Sequence, residues 1–191
     1  MKQLFPFLFI IVLFSCNHSK TETVAPASTD AGIQVAPQPP ATDSVVKDED
    51  VIQSIRSKVQ GINNMSLLVQ TFDWSSPGCA EEGKISFYLN KDSIVKIIES
   101  GFIGDGGWTK EYYYDRGKFI FSFMQNIGGP ASMPVDTSEV REYVNNDTLV
   151  LLKRNSEAHT GLKQKWNSQS TEYKLLRSFK NRDYAKVLCS D

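Results

Sequence analysis

The segment Tyr113-Tyr114-Asp115-Arg116-Gly117-Lys118-Phe119 carries the strongest fold signal in this chain. Aromatic residues lead into an acidic residue and a glycine, and an apolar segment begins directly afterwards. Asp bonds its own backbone in turns and Gly accepts positive φ, so this composition predicts a tight β-hairpin. The same plan recurs at Tyr88-Leu89-Asn90-Lys91-Asp92-Ser93-Ile94 and at Tyr143-Val144-Asn145-Asn146-Asp147-Thr148-Leu149. Three such turns predict an antiparallel meander.

Around these turns the apolar residues alternate with a period of two, which is typical of strands with one buried face. On this pattern Phe119, Phe121 and Phe123 share one face of the sheet, and Ile120 points to the other. The predicted strands are 66–73, 83–89, 93–100, 109–114, 118–126, 138–144 and 148–154.

Helical patterns flank the predicted sheet. Asp48 is a good helix cap, and apolar residues then recur at helical spacing up to Gly61. The segment 169–187 also fits a helix, although 173–180 alternates as a strand would, and we favour the helix. The predicted fold is therefore α+β, with an N-terminal helix, an antiparallel β-meander of about seven strands and a C-terminal helix.

The N-terminus has the pattern of an export signal. Lys2 gives a positive start, and the uncharged run 4–14 is shorter than the roughly 20 residues that a membrane-spanning helix needs. A short charged start, an apolar core and a small residue before the cleavage point predict secretion.

The end of that signal, Leu13-Phe14-Ser15-Cys16, resembles the lipobox of bacterial lipoproteins, in particular those of Bacteroidetes. The resemblance implies that residues 1–15 are removed, that Cys16 is acylated and that the protein is anchored in the cell envelope. The expected location is the outer membrane, facing the periplasm, with exposure at the cell surface as the alternative. The predicted meander also resembles the sheets of small envelope lipoproteins and, loosely, of β-lactamase-inhibitor-like domains. The alternative is an ordinary cleaved signal with an incidental cysteine.

Residues 16–47 are predicted to be a disordered tether, and 48–191 a single α+β domain. The tether lacks aromatic residues and is rich in Thr, Ser, Ala and Pro, so it cannot bury enough apolar surface to fold alone. As a flexible coil it would average roughly 30 Å from end to end. The alternative is a segment that folds on meeting a partner.

With Cys16 acylated, Cys79 and Cys189 remain as an even pair in an oxidising compartment. We expect them to form a disulfide that pins the C-terminus. Two isolated thiols are the alternative, because sequence does not give the distance between the two Cα atoms.

The sequence predicts no cofactor, no metal site and no catalytic residue. It contains no HExxH or CxxC motif and no phosphate-binding loop. His159 is the one histidine outside the anchor region, and the sequence gives it no partner for acyl-transfer chemistry.

Two segments are candidate binding regions. The glycine-rich stretch 101–108 is predicted to be a long, mobile hairpin loop, in which Asp105 and Trp108 are candidate ligand contacts. The segment 153–186 has nine basic and three acidic residues, whereas 51–152 has nine basic and twelve acidic residues. Its aromatic residues predict a basic, aromatic-rich face that includes Lys174 and Arg177 and could meet anionic headgroups, lipopolysaccharide or an acidic protein. The alternative is a solvated helix face with buried aromatics.

The expected function is non-enzymatic: a membrane-anchored binding or structural module for a protein, glycan or lipid partner of the envelope. Export excludes nucleic acid as a partner. The alternatives are a small envelope hydrolase or transferase that uses His159, and a carrier of an apolar ligand.

Overall fold

The computed structural model describes residues 43–129 and 136–190, with side chains from residue 48 onward. The predicted signal, Cys16 and most of the predicted tether lie outside the described residues. No helix in the described part is long and apolar enough to cross a bilayer. The elements are α1 (Asp43–Asn63), β1 (Leu68–Ser76), β2 (Ala80–Asn90), β3 (Ser93–Ile103), β4 (Gly106–Asp115), β5 (Lys118–Gly128), β6 (Asp136–Asn145), β7 (Thr148–Arg154), β8 (Glu157–His159), α2 (Thr171–Asn181) and α3 (Tyr184–Leu188).

The eight strands form one antiparallel sheet in which every strand pairs with its neighbour in sequence. The predicted α+β meander with an N-terminal helix and a C-terminal helical segment is therefore confirmed. The seven predicted strands correspond to β1 to β7. The sequence missed β8 because a three-residue strand is too short to show an alternation. It also placed the helix start at Asp48, whereas α1 begins at Asp43.

The three predicted hairpins share one geometry. Each turn has one or two residues at positive φ, and Arg116 (50°) and Gly117 (76°) show the pair that a type I′ turn requires. Each hairpin also has a β-bulge at the same distance after its turn, where one residue of the second strand has no partner in the register. The unpaired residues are Val95, Ile120 and Val150.

The bulges correct the predicted distribution of side chains. Because Ile120 is an extra residue, Phe119 lies in the cluster covered by α2 and α3, whereas Ile120 and Phe121 lie in the cluster covered by α1. The prediction that Phe119, Phe121 and Phe123 share a face is therefore wrong at Phe119. A strict period of two cannot describe a strand with an inserted residue.

The α1 layer covers β5 to β7 on one face of the sheet. Ile52, Ile55 and Ile62 recur at helical spacing and are almost fully buried against the sheet. They belong to one hydrophobic cluster with Tyr113, Phe121 and other sheet residues next to the bulges. This layer is held by burial of aliphatic and aromatic surface.

The C-terminal layer, α2 and α3, covers the opposite face. Leu175 is fully buried, and aromatic rings from the sheet and the helices pack together, with Phe72 to Tyr184 at 5.5 Å and Phe87 to Phe179 at 4.9 Å between ring centroids. The segment predicted as helix is thus helical. It divides at Arg182, whose φ of 58° ends α2.

The predicted disulfide joins this layer to the β1–β2 turn. The Cα atoms of Cys79 and Cys189 lie 6.0 Å apart, and the two sulfur atoms are bonded. The bond crosses 110 positions of sequence and fixes the residue that directly follows α3.

The long loop predicted over 101–108 is wrong. Strand pairing continues through Phe102–Gly107 and Ile103–Gly106, which leaves only a two-residue turn. The glycines allow aromatic rings to lie flat on the neighbouring strand: a Cβ at Gly107 would be 2.6 Å from the Phe102 ring, and one at Gly101 would overlap the Trp108 ring. This glycine pattern accommodates side chains and does not form a loop.

Candidate functional site: a groove at the hairpin turns

A groove of about 610 Å³ lies between the C-terminal half of α1 and the turns of the first two bulged hairpins. Ile62 and Val95 give it an apolar floor, and the exposed Met65 stands at its side. Its volume is within the range of small-molecule sites, roughly 300–1,000 Å³. The polar lining comes from Lys58, Asn90, Lys91, Asp92, Ser93, Asp115 and Arg116.

A second groove of about 380 Å³ continues along α1 towards the third hairpin turn at Asn145 and Asn146. Lys58, Asp115 and Arg116 line both grooves. The Lys58 Nζ lies 2.8 Å from Asp115 Oδ2, so this ion pair separates the two spaces. We call the two together the turn groove.

The ion pair sets the charge of the groove. The hydrogen bond from Lys58 lowers the pKa of Asp115, and the nearby Lys58 and Arg116 charges act in the same direction. Asp115 is therefore ionised at neutral pH. Arg116, Lys91 and Asp92 carry exposed charges around it, so the rim offers both signs of charge over an apolar floor.

A polar network fixes the end of α1 that borders the groove. The Asn63 Oδ1 accepts hydrogen bonds from Lys96 Nζ at 3.1 Å and from the Tyr113 hydroxyl at 3.0 Å. Lys96 also lies 2.8 Å from Glu111 Oε2. These contacts hold α1 at a defined distance from the β2–β3 turn, which keeps the groove open.

A second polar cluster lies on the opposite face, inside the protein. Glu99 is 4 % exposed, and its carboxylate accepts hydrogen bonds from Trp108 Nε1 at 2.9 Å and from the Tyr112 hydroxyl at 3.2 Å. Lys110 is its cross-strand partner and lies 3.7 Å from Glu172 of α2. Lys110 therefore pairs with Glu172 and lies beside Glu99 in the sheet.

The electrostatics of Glu99 are those of a buried acid. Desolvation raises the pKa of its carboxyl, while the hydrogen bonds from Trp108 and Tyr112 and the charge of Lys110 oppose this shift. The contact between Lys110 and Glu172 connects the sheet to α2. Because Glu99 is so little exposed, the cluster offers no opening to a large ligand. Sequence reasoning missed it, although a carboxylate at an inward position between Ile97 and Gly101 was a visible signal.

The four predicted binding residues are not gathered in one place. Lys174 and Arg177 line a common groove of about 290 Å³ between α2 and α3. Asp105 lies exposed in the β3–β4 turn, and Trp108 is half-buried and bonded to Glu99. The expectation of an aromatic-rich basic face is wrong, because Trp166 and Tyr184 are buried and Tyr173 and Phe179 pack against the core.

No family model, curated protein or solved structure matches this chain.

The geometry of His159 bears on the hydrolase alternative. Its imidazole lies in the short edge strand β8, and Nε2 is 3.8 Å from Glu157 Oε2, beyond hydrogen-bond distance. Both side chains are exposed, at 42 % and 78 %. This arrangement does not supply the enclosed base and orienting group that acyl transfer requires.

Proposed function

We propose that this protein is an acylated lipoprotein of the bacterial cell envelope that binds a partner molecule in the turn groove without catalysing a reaction. The lipobox-like sequence ending at Cys16 supports the anchor. The observation that carries the binding role is the groove of about 610 Å³ between α1 and the hairpin turns.

The composition of the groove favours a protein or glycan partner over a fully apolar ligand. Its floor is apolar, but Lys91, Asp92 and Arg116 place charged groups at the rim. Such a mixture suits a partner that brings both apolar surface and hydrogen-bonding groups. A carrier of apolar ligands would instead need an enclosed apolar cavity.

Site-specific photo-crosslinking in intact cells tests the binding role. A photoreactive amino acid at Met65 or Lys91 would stand at the groove, and one at Ser86, on an open part of the sheet, is the matched control. We expect discrete crosslinked products from the two groove positions and none from Ser86. Equal products from all three positions, or none from the groove, would overturn the proposed binding site.

Fatty-acid labelling tests the anchor separately. We expect cells to incorporate labelled palmitate into the wild-type chain and not into Cys16→Ala, and we expect the wild-type chain to fractionate with the outer membrane. A wild-type chain that takes up no label would contradict the anchor and leave the crosslinking result to stand by itself.

A further inference from the structure

Basic residues are paired very differently in the two parts of the chain. In the part of the chain that the structure describes, eight of the nine Lys and Arg residues at 51–152 form ion pairs with acidic side chains, the exception being Lys91. Among the described residues, none of the nine basic side chains at 153–186 has an acidic partner. Positive charge is thus neutralised locally in the first part and left free in the second.

Much of this free charge lies on the C-terminal layer. Arg177 is opposite the buried Leu175 on α2, so it points away from the sheet, and Lys174 and Lys180 flank it. Lys186 of α3 lines the same groove as Lys174 and Arg177. We call Lys174, Arg177, Lys180 and Lys186 the basic layer.

The acidic residues of the same region do not cancel this charge. Glu172 is buried and faces Lys110, and Glu157 lies beside His159 in β8. Asp183 is half-buried and borders the groove between α2 and α3. The basic layer therefore presents a net positive surface to its surroundings.

We propose that the basic layer docks on the anionic phospholipid surface of the membrane that holds the anchor. The inference rests on the proposed acylation of Cys16, which would hold the domain at an average distance of roughly 30 Å from that membrane through the predicted tether. At such a distance weak contacts suffice, because the tether makes docking an intramolecular event. Each Lys or Arg at an anionic surface strengthens binding about fivefold. Docking through this layer leaves α1, on the opposite face of the sheet, turned away from the membrane.

Energy transfer in reconstituted vesicles tests the orientation. The acylated full chain would carry a donor dye at Gln169→Cys, beside α2, or at Asn64→Cys, beside the end of α1 as the matched control. Both residues are exposed. The acceptor is a headgroup-labelled lipid, in vesicles of phosphatidylcholine alone or with about 30 % phosphatidylglycerol.

We expect the donor at Gln169→Cys to be quenched more strongly in the anionic vesicles, and about 0.5 M salt to remove the difference. The donor at Asn64→Cys should show no such change. Equal quenching at both sites, or quenching that ignores lipid charge, would overturn the proposal. A chain that fails to associate even with neutral vesicles would instead contradict the anchor.

A charge-matched pair of variants identifies the surface. Arg177→Gln with Lys180→Gln should lower the ratio of docked to undocked protein, read from the lipid-dependent quenching, more than tenfold, at about fivefold per charge. Arg56→Gln with Lys84→Gln removes the same charge elsewhere and should leave the quenching unchanged. If both pairs act equally, net charge and not the basic layer is responsible. If the basic layer binds an acidic protein but not the anionic vesicles, the membrane proposal is wrong.

Discussion

The two layers that cover the sheet are held in different ways. The α1 layer relies on three buried isoleucines and on polar contacts at its surface, such as Lys58–Asp115. The C-terminal layer has a disulfide, a cluster of aromatic rings and buried carboxylates. The difference indicates that the short helices α2 and α3 need a covalent constraint, whereas α1, with 21 residues, holds its place by burial.

Removing the disulfide should have the largest effect. In the chain-entropy model a bond across 110 positions of sequence contributes about 5 kcal/mol, because it restricts the unfolded chain. We expect the double variant Cys79→Ala/Cys189→Ala to lose about that much stability in urea unfolding. Amide hydrogen exchange in this variant should increase more in α3 than in α1. Equal loss of protection in the two layers would show that the disulfide does not act on the C-terminal layer in particular.

Truncating one buried side chain in each layer gives the next comparison. Leu175 is 0 % exposed and Ile55 is 4 % exposed. We expect Leu175→Ala to cost about 3 kcal/mol and Ile55→Ala about 2 kcal/mol, because the disulfide keeps the C-terminal layer from collapsing into the cavity. Urea unfolding measures both. A larger cost for Ile55→Ala would reverse this account of the two layers.

The sequence predicted the meander because residues adjacent in sequence, such as Asp115 to Gly117, determine each hairpin turn. A turn of this kind does not depend on a distant part of the chain. The sequence placed Phe119 on the wrong face because a bulge at Ile120 is set by pairing with the neighbouring strand. The prediction for 101–108 was wrong for a similar reason, since Gly101 and Gly107 leave room for aromatic rings from the opposite strand of the hairpin. Effects that depend on a distant partner leave no local pattern.

The candidate site was less predictable than the fold. Lys58 and Asp115 are far apart in sequence, and the turn groove exists only where α1 meets the hairpin turns. Asp105 and Trp108 were predicted as ligand contacts from the composition of 101–108. Asp105 is instead a turn residue, and Trp108 donates a hydrogen bond to Glu99. The disulfide was predictable, because the export-signal pattern predicts an oxidising compartment and only Cys79 and Cys189 remain once Cys16 is assigned to the lipid.

The buried carboxyl of Glu99 should give the C-terminal layer an opposite pH dependence to that of the α1 layer. Burial raises the pKa of Glu99 in the folded state, so its contribution to stability is present at low pH and is lost as pH rises through that pKa. Glu99→Gln should remove this loss, which unfolding experiments between about pH 4 and pH 9 would detect. A variant with an unchanged profile would mean that Lys110 keeps Glu99 charged throughout.

The ion pair at the turn groove should have the smallest effect and the opposite sign. Lys58 lowers the pKa of Asp115 in the folded state, so the contribution of Asp115 to stability is present above its unfolded pKa and is lost as pH falls through the folded pKa. Because the two side chains are 44 % and 28 % exposed, we expect their coupling to be about 0.5 kcal/mol.

A double-mutant cycle of Lys58→Ala and Asp115→Asn, measured by urea unfolding at neutral and acidic pH, isolates that coupling. It should shrink as pH falls and in high salt, since both conditions weaken a partly exposed ion pair. A coupling of several kcal/mol would mean that α1 is held electrostatically, and the contrast between the two layers would then disappear. A small coupling means that a partner entering the groove can replace the contact between Lys58 and Asp115 at little cost in free energy.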